Sequence, residues 1–194
     1  MKAIFLALSF LSGSIPFAYL LYRWFRGEDI RKKGSGNVGA TNVLRSGGVG
    51  IGLAVAVLDI SKAALPVYLA LPQGREFAFA CGLAAVLGHC FTPWLGFNGG
   101  KGVATYVGAS LVSSPLSALA GLGAFLVGAV FSGMVSVGSL ILVLAVPVAS
   151  FFLYRSPGLS LLQALASLVV IYRHRGNIKR ILQGRERKIW KGFM

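Results

Sequence analysis

An all-helical, multi-pass membrane bundle is the fold class that this sequence predicts. Three observations carry the prediction. Of 194 residues, 56% are hydrophobic and only 12% are charged, where a soluble domain has about 25% charged residues. The few charges leave uncharged runs about as long as the roughly 17–25 residues a spanning helix needs. The charge is also one-sided, with 19 Lys+Arg against 5 Asp+Glu for a formal +14. Such a balance alone admits a nucleic-acid partner, but the apolar composition points to anionic lipid or an anionic substrate instead. No polar linker divides the chain, so residues 1–194 are expected to form one membrane-embedded domain. Cys81 and Cys90 lie in one apolar run and read as buried thiols, not a disulfide framework.

The elements follow from the runs. Residues 3–22 form the first. Lys2, the apolar stretch and Ser12-Gly13-Ser14 have the outline of a signal peptide. The run continues, however, through Phe17–Tyr22 into Arg23-Trp24, an interfacial anchor, and therefore reads as a span. Residues 46–74 are apolar apart from Asp59 and Lys62 and form the second. Residues 77–100 and 156–172 are one span each. The run 102–154, 53 residues long, breaks at Ser113-Ser114-Pro115 and at Ser132-Gly133, giving segments 102–113, 115–131 and 134–154. The first of these crosses only with tilt or a thinned bilayer.

Cations decide between two and three spans in that run. Arg23, Arg26, Arg31, Lys32, Lys33 and Arg45 form one cluster. Arg173, Arg175, Lys179, Arg180, Arg185, Arg187, Lys188 and Lys191 form another. Both belong in the cytoplasm under the positive-inside rule, which requires three helices in the run. The expectation is seven transmembrane helices, with the N-terminus outside and the C-terminus cytoplasmic. The many small residues suit close helix packing in lipid.

Three polar segments then share the cytoplasmic face. The first, Gly34–Arg45, matches GxGxxG at Gly34, Gly36 and Gly39, and Asp59 follows 20 residues later. A dinucleotide site is rejected, because no βαβ unit is available and Asp59 lies in an apolar helix. Glycine-rich backbone still lets amides converge on an anion. Ser35, Asn37, Thr41 and Asn42 add donors, and Arg45 adds a guanidinium fork suited to phosphate. The second segment is Gly88–Gly102, where Gly99, Gly100, Lys101 and Gly102 precede an apolar helix whose N-terminus favours anions. The third is Arg173–Lys188, in which His174 and Asn177 share a helical face and Glu186 is the only acid. Asp59 and Lys62, three apart, read as an intramembrane ion pair. Ser136 and Ser139 read as hydroxyls bordering a cytoplasmic cavity or bonded to backbone. His89 reads as a helix-packing residue. These features imply phosphate-bearing substrates, without naming a reaction.

The three segments resemble the bacterial acyl-phosphate:glycerol-3-phosphate acyltransferase family, PlsY. The resemblance rests on GSGNVGATNVLR (Gly34–Arg45), on GH-x-F followed by GGKGVAT (Gly88–Thr105), and on RHRGNIKR-x-L-x-G-x-E (Arg173–Glu186). Leu58-Asp59 to Lys62 also fits. It implies a phospholipid-synthesis enzyme of the bacterial inner membrane with its active site facing the cytoplasm. The reaction it implies moves a fatty acyl group from acyl phosphate to the 1-hydroxyl of glycerol 3-phosphate, giving lysophosphatidate and phosphate. The His-to-Asp motif of other acyltransferases is absent, since Trp94 and Lys179 stand five residues after His89 and His174.

By the same resemblance, Ser35, Arg45, Lys101, His174 and Asn177 are the expected catalytic positions. Gly34, Gly36, Asn37, Val38, Gly39, Ala40, Thr41, Asn42, Gly99, Gly100, Gly102, Ser139 and Arg180 are expected to bind substrate. Asp59, Lys62 and Glu186 are expected to support the site. No metal or other cofactor is expected. Acyl phosphate, glycerol 3-phosphate and membrane lipid are the expected partners of a monomer. Thr92 before Pro93, Asn98, Gly176 and Ala63 depart from the family pattern. The base for the alcohol stays open between His174, the donor's own phosphate and a covalent route through Ser35. A small organic-phosphate transporter is the alternative class, although its site would sit near mid-membrane within paired repeats.

Overall fold

The computed structural model describes residues 1–189, and Lys191 of the C-terminal cationic run lies outside them. Ten α-helices and three short 3-10 turns make up the regular structure of the described residues, with no strand. In order, the helices are α1 (Lys2–Ser14), α2 (Phe17–Arg26), α3 (Ala40–Gly47), α4 (Val49–Ala70), α5 (Arg75–Cys90), α6 (Val103–Ser113), α7 (Pro115–Ser132), α8 (Val135–Tyr154), α9 (Pro157–Arg173) and α10 (Arg175–Leu182).

Five segments are long and apolar enough to cross a membrane: Lys2–Arg26, Val49–Gln73, Arg75–Leu95, Pro115–Ser132 and Val135–Tyr154. Val103–Ser113 and Pro157–Arg173 are apolar but shorter. The run 102–154 breaks at Ser114-Pro115 and at Gly133, the places its punctuation indicated. The first run differs from expectation. Pro16 lacks an N–H and interrupts the helix, so α1 stops at Ser14 and α2 starts afresh at Phe17. α2 is amphipathic: Ala18 and Tyr22 are buried, while Leu20, Trp24 and Phe25 are exposed.

Small residues set the packing. A Cβ on Gly13 would strike the Ala85 carbonyl, and one on Gly88 would strike that of Phe10, so α1 and α5 touch backbone to backbone. Gly108 of α6 meets the Ile60 carbonyl of α4 in the same way. Polar side chains bind the shorter helices. Ser167 of α9 donates to the Val143 carbonyl of α8, and Gln163 donates to Ser114 Oγ at 2.7 Å. Leucines, valines and phenylalanines such as Leu53, Leu126, Phe131, Phe152 and Leu168 stay exposed around the outside, where lipid would cover them.

Contacts sort the helix ends into two sets. At one end Arg75 donates to the Ser113 carbonyl and faces the Tyr154 ring at 5.0 Å. There Ser156 donates to Glu76, and Lys2 lies 5.2 Å from the Phe77 ring. The α4–α5, α6–α7 and α8–α9 junctions therefore meet together. The α3, α5–α6, α7–α8 and α9–α10 junctions meet at the other end, around a cavity.

Candidate active site

That cavity has a volume of about 430 Å³ and takes its walls from α3, α4, α6, α7, α8, α10 and the tail after it. Its polar part gathers all three sequence segments: Ser35, Asn37 and Arg45 from the first, Lys101 and Gly102 from the second, His174, Asn177 and Arg180 from the third. Gly39, Ala40, Thr41 and Asn42 border it too, as do Ser136 and Ser139. Its deeper wall is apolar, made by Ile60, Val107, Leu122, Phe125 and Leu142.

Local chemistry explains the first loop. Asn42, on α3, is 2% exposed and acts as its staple. Its Nδ2 donates to the carbonyls of Lys33 at 3.1 Å and Asn37 at 3.0 Å, and its Oδ1 accepts the Ser35 N–H at 2.8 Å. Gly34 at φ +56 lets the chain wrap this amide, because a Cβ there would collide with Asn42 Oδ1. The first-turn N–H groups of α3, at Ala40 and Thr41, have no intrahelical partner and border the cavity.

The second loop is built differently from what its glycines imply. Gly99 and Gly100 do not line the cavity. Their N–H groups donate to the carbonyls of Cys90 and His89, both at 3.1 Å. Their own carbonyls accept from Arg173, Nη2 to Gly99 at 2.7 Å and Nε to Gly100 at 3.1 Å. These two glycines serve close approach, since a Cβ on Gly99 would meet the His89 carbonyl and one on Gly100 the His89 imidazole. Gly102, at φ +88, caps α6 and places its N-terminus on the cavity beside Lys101.

Gly34, Gly36 and Val38, expected to bind substrate, are not among the residues that line the cavity. The Gly36 N–H is taken by the Lys33 carbonyl at 2.9 Å, and Val38 is buried beside Ile30 and Val43. Asp59 and Lys62 do pair, at 2.7 Å, and Lys62 Nζ also donates to the Ile15 carbonyl at 2.8 Å, bracing the α1–α2 break. Asp59 and His89 reach the cavity wall, with His89 Nδ1 3.7 Å from the Asp59 carboxylate.

The model of the family described as glycerol-3-phosphate acyltransferase matches residues 3–184. The chain belongs to this glycerol-3-phosphate acyltransferase family. A glycerol-3-phosphate acyltransferase of Leptospira borgpetersenii is 45% identical to it, over 95% of this chain and 89% of that one. One from Myxococcus xanthus is 44% identical over 97% of this chain and 100% of that one. Among solved structures, the glycerol 3-phosphate form of the integral membrane acyltransferase PlsY superposes with a TM-score of 0.92 at 35% identity, covering 96% and 94% of the two chains. Its lysophosphatidic acid form gives 0.91 at 32% identity, covering 99% and 98%.

The electrostatics of this acyltransferase site are those of an anion trap. Burial, with Arg180, Arg45 and Arg173 nearby, pulls Lys101 down to about 8 against a smaller opposing pull from Glu186. His174 is 2% exposed, and burial together with Lys101 lowers it to about 4. Its Nδ1 lies 2.8 Å from the Val170 carbonyl; as the neutral tautomer that donates there, it presents a lone pair on Nε2. Burial raises Glu186, but hydrogen bonds from Asn177, Ser136 and Arg180 outweigh it and hold the carboxylate below its usual range. Arg187 was not singled out by its spacing, yet it lines the mouth of the cavity. Ser35 Oγ accepts the Asn37 N–H at 3.4 Å and has no His or carboxylate partner among the described residues. Ser139 Oγ donates to the Val135 carbonyl at 2.8 Å, leaving its lone pairs toward the cavity.

Proposed function

We propose that this acyltransferase moves a fatty acyl group from acyl phosphate to the 1-hydroxyl of glycerol 3-phosphate at the cytoplasmic face of the bacterial inner membrane. One observation carries the reading. Two helix N-termini, those of α3 and α6, and four cations, Arg45, Lys101, Arg180 and Arg187, border a single cavity with an apolar inner wall. A site for one phosphate needs only half of this. Two phosphate-bearing substrates, one with a fatty chain, use all of it. The family assignment leaves the transport reading without support.

Lys101, Arg180, Asn177 and the α6 N-terminus hold glycerol 3-phosphate. Arg45, Ser35, Asn37 and the α3 N-terminus hold the acyl phosphate head, and the acyl chain runs along Leu122, Phe125 and Leu142. The 1-hydroxyl oxygen bonds to the acyl carbon and the bond to the phosphate oxygen breaks. Cations that fix both anions lower the barrier chiefly by proximity and by stabilising the developing oxyanion. Released phosphate carries away the hydroxyl proton. A His174 lowered to about 4 is a weak base at neutral pH, and the departing phosphate gains basicity as its bond to the acyl carbon breaks. His174 therefore serves as a hydrogen-bonding partner of the hydroxyl. Ser35 Oγ, without a His or carboxylate partner among the described residues, favours direct transfer over a covalent route.

The seven apolar helices α1 and α4–α9 cross the bilayer, with the N-terminus outside and the C-terminus in the cytoplasm. The sorting of junctions into two ends supports this. Reporter fusions after Ser114 and Gly133 test it, with the first expected outside and the second cytoplasmic. A monomer suffices for this reading, because one copy of the chain supplies all three polar segments. The test of the reaction is lysophosphatidate formation by purified protein with palmitoyl phosphate and, separately, palmitoyl-CoA. Product from palmitoyl phosphate alone is expected. Product only from palmitoyl-CoA overturns the donor assignment.

A further inference from the structure

The tail after α10 does more than support the site. It crosses the cavity mouth on three anchors. Glu186 accepts from Ser136, Asn177 and Arg180. The Ile189 N–H donates to the Gly133 carbonyl at the α7–α8 turn, at 2.7 Å. Arg187 Nη2 donates to the Gly34 carbonyl in the first loop, at 3.0 Å. This last anchor holds a second guanidinium against the first loop, and it lines the same cavity as Arg45. Partial burial, and then the charge of Arg187, hold Arg45 below its usual range against a smaller opposing pull from Glu186.

Glu186, the nearest acid, commits Oε1 to Ser136 and Asn177 and Oε2 to Arg180. Two like charges lining one cavity, with the neighbouring carboxylate already accepting from three other donors, are an arrangement that a bound anion stabilises. The other cations of the cavity, Lys101 and Arg180, lie on the side of α6 and α10. An anion between Arg45 and Arg187 would lie by the first loop and the N-terminus of α3.

We propose that Arg187 is a second phosphate-binding residue, which clamps the donor's phosphate against Arg45 and holds it until the acyl group has left. The identity of the anion as the donor's phosphate rests on the reaction proposed above. The clamp itself does not, because any phosphate bound there meets the same two guanidiniums.

Arg187→Gln, Arg187→Lys and, as a control on the exposed outer side of the tail, Arg185→Gln test it. Loss of one charge-assisted contact is expected to raise the KM for palmitoyl phosphate about tenfold or more in R187Q, leaving that for glycerol 3-phosphate within about twofold. R187K should recover part of the loss, and R185Q should match the parent. Inorganic phosphate, the product, should inhibit competitively with palmitoyl phosphate, and its inhibition constant should rise in R187Q by the same factor. A purely structural tether to Gly34 would instead lower kcat and disturb both KM values together, and that outcome overturns the proposal. A binding arm needs no turnover: inorganic phosphate should raise the melting temperature of the parent protein, and R187Q should lose most of that rise. An unchanged rise in R187Q overturns the clamp. Absence of turnover with palmitoyl phosphate in the parent, with the phosphate effect intact, would instead remove the donor assignment and leave the clamp standing.

Discussion

Asn177 Nδ2 donates to Glu186 Oε1 at 2.6 Å, and Ser136 Oγ donates to the same oxygen at 2.9 Å. Arg180 Nε reaches the other oxygen at 2.7 Å. One carboxylate thus fixes the two α10 side chains proposed to meet glycerol 3-phosphate and ties them to α8. Glu186→Ala leaves Asn177, which is 6% exposed, without its acceptor. A buried amide stripped of its partner costs about 1–3 kcal/mol. Activity should fall at least about tenfold, since misplacing a substrate-positioning group carries that order of penalty. The pH dependence separates charge from shape. The folded-state pKa is depressed, so the contribution to stability is present above the ordinary value of 4.5 and is lost as pH falls through the lower folded value. Melting temperature followed from neutral to acid pH should show this loss in the parent protein and a smaller one in Glu186→Gln.

Gly100→Ala distinguishes packing from substrate contact in the second loop. A Cβ at Gly100 would meet the His89 imidazole and lie 2.6 Å from the Val38 carbonyl. Neither neighbour can retreat easily, because His89 is 8% exposed and Val38 4%. The loop must shift and carry Lys101 with it. Overpacking of this kind costs about 1–3 kcal/mol, so the variant should melt at a lower temperature and also bind glycerol 3-phosphate more weakly. Lys101→Met should weaken binding with little change in melting temperature. A Gly100→Ala protein as stable as its parent would show that the loop has room.

Much of this was legible in the sequence, and the reasons differ by element. The breaks at Ser114-Pro115 and Gly133 were readable because Pro and Gly act locally. The set of polar segments was readable because charge in an apolar chain stands out. The interruption between α1 and α2 was hidden, because Pro16 sits in an apolar stretch long enough to cross as one helix. The packing role of Gly99 and Gly100 is not legible in the sequence, for a physical reason. A glycine that frees its N–H for an anion and one that lets another backbone approach look alike in sequence. Only the neighbours, His89 and Cys90 for Gly99 and Gly100, tell them apart. Arg187 was one cation among eight in its run, and nothing in its spacing marked it.

The Asp59–Lys62 pair joins α4 to the α1–α2 break, because Lys62 also donates to the Ile15 carbonyl and lies 5.6 Å from the Phe17 ring. Both residues are buried, at 2% and 5% exposure. Removing one partner of such a pair strands the other and costs about 3–5 kcal/mol. Asp59→Leu alone and Lys62→Met alone should each lower the melting temperature strongly. The double variant should recover much of the loss, since an apolar pair of similar volume replaces two desolvated charges. Melting temperatures of the four proteins form the cycle. Additive losses in the double variant would mean that the two side chains act separately.

Lys101 sets the alkaline limit. Its pKa falls from 10.5 to about 8, chiefly through burial, which Glu186 opposes and Arg180, Arg45 and Arg173 reinforce. The ammonium is therefore intact at neutral pH and is lost as pH rises through about 8. The free enzyme's affinity for an anionic substrate should decline over the same interval, so kcat/KM for glycerol 3-phosphate, which reports free-enzyme groups, should bend downward near that value. Bound substrate opposes the shift, because a phosphate beside Lys101 favours the charged form. The kcat profile should accordingly bend at higher pH than the kcat/KM profile. His174 does not interfere, since at about 4 it is neutral throughout this range. Arg stays charged at these pH values, so Lys101→Arg should lose the alkaline bend while keeping part of the activity. Steady-state rates from about pH 6.5 to about pH 9.5 decide the matter. A bend that persists unchanged in Lys101→Arg would assign the titration to another group.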